Sequence, residues 1–253
     1  NSPCSKLTTG GIVAQGPHRP DVIAVGYVFE TSATDGAYVA LSDDLAPQGY
    51  SYLLIHKGQA TVASCMFIDF HNEQRYLQKT VEYFMQRTGV VLENPRKFGG
   101  SGNFSIPVSA SKNDILHVGE CAGFQDAFAG FGLRYAVLSG YFSALAHLRN
   151  CPEEYDLAWK KRFLGLMKAS LVNRYFYAMF GDFGYRQFTK GITHKRDVRD
   201  WIKRRYSPGF LKSFFYPLAR RAFTNRLEGM CFDPDCHCTW CRCRHEEQTE
   251  AEI

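Results

Sequence analysis

"HVGECAGFQDAFAGFGLRYAVLSGYFSALAHL", residues 117–148, holds the densest structural instruction in the chain. A β-branched and apolar run, Ile115 to Val118, meets Gly119 and then an acid, Glu120. Gly123, Gly130 and Gly132 follow, and a long apolar helix is predicted from about Leu133 to Leu148. Gly119 permits a sharp turn at the end of a strand. A carboxylate at the next position can accept hydrogen bonds from two vicinal hydroxyls, as on a ribose. The small residues behind it, Cys121, Ala122 and Gly123, let backbone come near a ligand. Free N–H groups and the positive dipole end of the helix, preceded by Gly130, Phe131 and Gly132, favour an anionic group such as a pyrophosphate. Ala136, Ser139, Gly140, Ser143 and Ala144 then allow the helix to pack closely on a sheet. A strand–loop–helix that merely packs would use the same residues, and glycine spacing alone does not separate the two readings.

Upstream, residues 22–67 read as sheet. "DVIAVGYVF", "AYVALS", "YSYLLIH" and "ATVASCMF" are rich in β-branched and aromatic residues, and "SATDG", "APQG" and "KGQ" punctuate them. Turns this short imply antiparallel neighbours. Residues 72–88 form an amphipathic helix with Tyr76, Leu77, Val81, Phe84 and Met85 on one face, and Gly89 suits its C-terminal cap. "NPRKFGGSGNFSIP" reads as a loop with a short extended end, and "DILHVG" as a buried strand. Downstream, residues 153–180 are helical and aromatic-rich. A turn near Gly191 leads to a basic helix, "HKRDVRDWIKRRY", and Pro208 and Pro217 break up "SPGFLKSFFYPLARRAF".

With 253 residues, 45% of them hydrophobic, the chain can build a real core, which excludes global disorder. It has no run of 18 uncharged apolar residues, and "NSPCSKLTTGG" lacks the basic and then apolar pattern of a secretory signal. The net charge of +5 is concentrated: Arg186 to Arg226 holds 12 Lys/Arg against 2 Asp, whereas "HEEQTEAEI" at the end is acidic. Five of the nine cysteines lie between Cys231 and Cys243, which does not resemble a secreted disulfide framework and points to a reducing compartment.

The stretch "VGECAGFQDAFAGFGLRYAVLSG" resembles the second flavin-binding motif of the geranylgeranyl reductase family, a branch of the flavoproteins with a p-hydroxybenzoate hydroxylase-like fold. The family pattern runs Gly-Asp/Glu-Ala-Ala-Gly, then Pro, then Gly-x-Gly-Ile and a helix. Gly119, Glu120, Ala122 and Gly123 match its first half, and Gly130, Gly132 and Leu133 its second. Cys121 stands where the family often has Ala, and Ala127 where it has Pro, a change expected to loosen the loop. The resemblance implies that Glu120 contacts the FAD ribose and that backbone from Gly130 through Phe131 and Gly132 to Leu133 approaches the pyrophosphate and the isoalloxazine ring. "APQGYSYLLIHKGQATVA" resembles the family's Pro-Gly-Gly-Tyr-x-Trp-x-Phe-Pro segment, which lines a prenyl cavity. Tyr50 matches it, Tyr52 replaces Trp, and Leu54 and Ile55 replace Phe-Pro. Two strand aromatics facing the same way are equally the bland reading of Tyr50 and Tyr52. No Gly-x-Gly-x-x-Gly is present. The chain therefore reads as the C-terminal part of a longer flavoprotein that lacks about 150 residues, an estimate from usual domain sizes.

The expectation is then an α+β (α/β) chain, the C-terminal part of a two-domain FAD-binding oxidoreductase. Residues 1–112 would form the substrate-binding sheet region and 113–150 the second FAD motif. A helical, basic region would span 151–228, and a Cys-rich tail 229–253. The implied activity is reduction of C=C bonds in a prenyl or isoprenoid lipid, with NAD(P)H or a ferredoxin-type protein as electron donor; the fragment alone is expected to be inactive. A monooxygenase or halogenase of the same fold is the alternative, and a metal-binding interaction module a third. His56, His71 and His117 are candidates for a general acid only by residue type. In the tail, Cys231, Cys236, Cys238, Cys241 and Cys243 could ligate zinc or an iron–sulfur cluster, although their spacing matches no standard finger or ferredoxin. The basic, aromatic stretch suits an anionic membrane surface, or else a cap whose charges face water, and no nucleic-acid module is recognisable. The expected location is cytoplasmic and peripheral on the membrane.

Overall fold

The computed structural model describes residues 10–16, 20–193 and 195–227. They form two sheets and six α-helices arranged in two compact units. One comprises Pro20–Ser101 and the end of a long helix from Tyr177; the other comprises Gly102–Phe176, the first strand and the helices after Lys195.

The first of these is built on a five-stranded sheet. Its strands are β2 (Val22–Glu30), β3 (Gly36–Ala40), β4 (Tyr50–His56), β5 (Gln59–Met66) and β6 (Glu93–Gly102), in the order β3-β4-β5-β2-β6. The pairings β3–β4, β4–β5 and β2–β5 are antiparallel, as the short turns require. Lys57 and Gly58 make the β4–β5 turn with φ of 49° and 80°, the left-handed pair that a tight hairpin needs. Alternation then sorts the residues. Leu53, Ile55, Val62, Ile23, Val25 and Phe29 face α1 (Glu73–Thr88), which buries Leu77 and Phe84 between them. Gly89 closes α1 in the left-handed conformation, φ 69°, with its N–H on the Met85 carbonyl. One polar pair sits in this core: the Ser51 and Thr80 hydroxyls are 2.9 Å apart, and Thr80 Oγ1 also donates to the Leu45 carbonyl at 3.2 Å.

The expected loop at "NPRKFGGSG" is instead the strand β6. Its Pro, Gly and charges hide the signal, because an edge strand with mostly exposed residues needs neither alternation nor β-branching. Phe98 lies over Gly26, where an added Cβ would come within 2.8 Å of its ring.

The second unit holds a small sheet, β1 (Gly11–Val13), β8 (Ile115–His117) and β7 (Ser111–Lys112), with β1 parallel to β8. β1 has no clear sequence signal, since three residues cannot show a period. "DILHVG" delivers a strand of only three residues, with Leu116 fully buried and Ile115 at the surface. A 3-10 turn, Gly119–Ala122, leads toward α2 (Leu133–Leu148). α3 (Pro152–Trp159) continues through one π turn, Lys160–Leu164, into α4 (Gly165–Thr193). Phe124, Tyr135, Trp159, Phe163 and Met167 form the centre of this core.

Two helix boundaries differ from expectation. α4 runs through Gly191, and the break falls at Gly181 instead, with φ 49° and ψ −142°. α5 (Val198–Tyr206) is capped by Asp197, whose side chain accepts from Asp200 N at 2.9 Å. α6 (Phe210–Leu227) carries Pro217 within it, so that proline does not end the helix.

Candidate functional site

The 117–133 stretch folds into a closed loop. Val118 is extended, Gly119 (φ 62°) and Gly123 (φ 74°) bracket the 3-10 turn, and Gly130 (φ 75°) turns the chain back toward α2. A side chain at Gly123 would collide with Ser105, whose Oγ would lie 1.8 Å from the new Cβ. Gly119 N donates to Ser139 Oγ at 2.9 Å, so one of the predicted small helix residues ties the turn to α2.

Glu120 does not stand alone at a strand tip. Gln125, a residue sequence reading passed over, donates its amide to Glu120 Oε1 at 2.9 Å and to the Gly130 carbonyl at 3.0 Å. This clasp joins the two halves of the loop. It brings the carboxylate so close to the start of α2 that a Cβ at Gly132 would lie 3.8 Å from Glu120 Oε1. Partial burial raises the Glu120 pKa above its ordinary 4.5. Helix α2 begins with no side-chain cap and no acid in its first turn, and Leu133 and Phe131 are exposed there. Gln125 Oε1 and Asn103 Oδ1 are buried and have no hydrogen-bond partner among the described residues. Buried acceptors of that kind ordinarily have partners.

Below the loop lies a second network. Asp126 is 4% exposed and accepts from Ser170 Oγ (2.6 Å), Ala129 N (2.7 Å) and Phe128 N (3.1 Å). Arg174, 1% exposed, donates to the Ala127 carbonyl at 3.0 Å and also to the Phe128 carbonyl. The loosening expected from Ala127 is therefore corrected: a buried Asp and a buried Arg pin the loop that proline would otherwise stiffen. Burial pushes the Asp126 pKa up, against the opposing pull of its three donors and of Arg174.

Tyr50 and Tyr52 lie on β4 in the other unit, rings 6.3 Å apart, on the sheet face opposite α1. Strand register places Val39 and Ala63 beside Tyr52, and Cys65 beside Tyr50. Burial lifts the Tyr52 pKa to about 12 and the Cys65 thiol to about 11. With Val39 and Leu54 exposed, this face is apolar and half open. Among the histidines, His56 sits on the exposed hairpin with Nδ1 3.0 Å from Asp35, and His117 pairs through its backbone with Ala110 and Tyr155. Cys231, Cys236, Cys238, Cys241 and Cys243 lie outside the described residues. Among the described residues no cluster of three or more His, Cys, Asp or Glu is placed to hold a metal ion.

The chain is mixed α and β, with an antiparallel sheet and helices. It is similar to a geranylgeranyl bacteriochlorophyll reductase-like protein from Thermoplasma acidophilum, with a TM-score of 0.64 at 17% identity over 85% of this chain and 61% of that one. The chain thus spans about six tenths of that protein's length. More distant are the flavin-dependent brominase Bmp2 (TM-score 0.47, 13% identity, 81% of this chain and 55% of that one) and the flavin-dependent halogenase CmlS (0.44, 14%, 94% and 46%). At those scores neither carries weight. No protein-family model and no curated protein sequence matches the chain.

Proposed function

We propose that this chain is part of an FAD-dependent oxidoreductase that reduces C=C bonds in a prenyl or other isoprenoid lipid, fed by NAD(P)H or a ferredoxin-type donor. One observation carries the reading: the Gln125 clasp holds the Glu120 carboxylate beside the uncapped start of α2. A dinucleotide needs those two features together, an acceptor for ribose hydroxyls and free amides for phosphate.

The residues present fit that group. Gln125 occupies one Glu120 oxygen and leaves the other for a ribose hydroxyl. The unpartnered Gln125 Oε1 and Asn103 Oδ1 are acceptors in need of donors. Gly132 and Leu133 would present backbone N–H to phosphate, with the helix dipole behind them. Tyr50, Tyr52, Val39 and Leu54 would offer an apolar wall to the lipid. When bound, FAD supplies the hydride from flavin N5. A complete dinucleotide site also needs a glycine-rich phosphate turn, which this sequence does not contain.

The test is anaerobic. Complete protein reduced with dithionite and given geranylgeranyl diphosphate should yield prenyl products heavier by pairs of hydrogens. No reduced prenyl product under these conditions, with oxygen consumed in a separate aerobic assay with NAD(P)H, would overturn the reductase reading.

A further inference from the structure

We propose that α6 docks this protein on an anionic lipid surface, an inference that does not depend on the flavin reading. The inward face of α6 is fully used. Phe215 packs edge-on against Phe176 (ring centroids 5.2 Å apart), Phe223 against Phe104 (5.9 Å), Ala219 is buried, and Lys168 Nζ lies 5.0 Å from the Tyr216 ring centroid. The outward face is apolar as well. Phe210, Leu211, Phe214 and Leu218 are 84%, 69%, 68% and 49% exposed, and at 3.6 residues per turn they fall in one sector. None of the four is needed for the core, so their apolar character has no structural use on a wet surface.

Charge identifies the occupant. Arg221 shares the outward sector, Arg220 flanks it, and Lys203, Arg204 and Arg205 are exposed on α5 just before it. From Lys195 to Arg221 the chain holds nine Lys/Arg and two Asp. An apolar stripe edged by cations suits the headgroup boundary of an anionic membrane, where the stripe enters the acyl region and the cations meet phosphate. The exposed face of α2 offers a contrast. Leu133, Val137, Tyr141 and Leu148 carry one cation, Arg134, at their edge, which is the pattern of a protein contact. Leu211 and Leu218 give a base nothing to stack on, which disfavours nucleic acid. No helix among the described residues is long and apolar enough to cross a membrane, so the contact is in the plane of the surface.

Cosedimentation of the complete protein with phosphatidylcholine vesicles, with and without phosphatidylserine, tests this. The protein should sediment with the phosphatidylserine vesicles at low salt and release at high salt. The double variant Phe210→Ser/Phe214→Ser should lower partitioning by roughly tenfold or more, and Arg221→Glu by roughly tenfold. All three positions are exposed, so far-ultraviolet circular dichroism should not change. Absence of sedimentation at low salt, equal binding to neutral vesicles, or wild-type binding by the Phe210→Ser/Phe214→Ser variant would each overturn the proposal. So would preferential binding of single-stranded DNA over the vesicles.

Discussion

Asp126 is the residue where burial and hydrogen bonding oppose each other most sharply. Its pKa is raised above 3.8 in the folded chain, so the unfolded state releases its proton first as pH rises. Stability contributed at this site is therefore fullest below pH 3.8, falls as pH climbs from there through the raised folded value, and levels off beyond it. Asp126→Asn should flatten that part of the profile, read as denaturation midpoints across pH; an unchanged slope would mean burial does not control the group. Arg174, buried beside the same loop, donates to its carbonyls. Arg174→Met removes the donor to the Ala127 and Phe128 carbonyls, and should destabilise the fold by about 1–3 kcal/mol in urea denaturation. Neither residue stands out in the sequence. Asp126 and Arg174 are 48 positions apart, and a short-period reading has no means of pairing them.

Among the elements, α4 and α6 each contain a residue that breaks the local rule. Gly181 adopts φ 49° and ψ −142°, a conformation that side chains resist, and a Cβ there would meet Asp43 Oδ2 at 3.3 Å. Gly181→Ala should cost about 1–3 kcal/mol, measured as a fall in Tm; an unchanged Tm would show that the break is not fixed by this glycine. Pro217 should act in the other sense. Pro217→Ala restores a helix donor and should raise Tm, since interior proline costs up to about 3 kcal/mol. These are also the places where legibility ends. The four antiparallel strands of 22–67, α1 with its Gly89 cap, and the helix beginning at Leu133 were readable, because period and turn chemistry agree there. β1 is too short to show a period, β6 is an exposed edge, and the continuation of α4 beyond Gly181 to Thr193 has no signal among the glycines of "MFGDFGY" and "KGIT". In the loop, the glycines and Glu120 were legible from their type and order. Gln125 was not, because nothing in a single sequence says that an amide five residues on will reach back to a carboxylate.

At the scale of the whole molecule, the proposed cofactor site at the start of α2 is the central claim. The chain shares its fold with a reductase-like protein of which it spans 61%, and the loop beneath α2 is pinned by Asp126 and Arg174 and clasped by Gln125. Such preorganisation lowers the ordering cost of binding. Titration of FAD into complete protein, followed by flavin fluorescence, is the decisive experiment. Wild type should bind stoichiometrically. Glu120→Ala should weaken binding by roughly ten- to hundredfold, the value of a hydrogen bond to a charged group, and Gln125→Leu should weaken it by a smaller factor because the carboxylate remains but loses its clasp. Wild-type affinity in both variants would contradict the assignment of this loop to the cofactor.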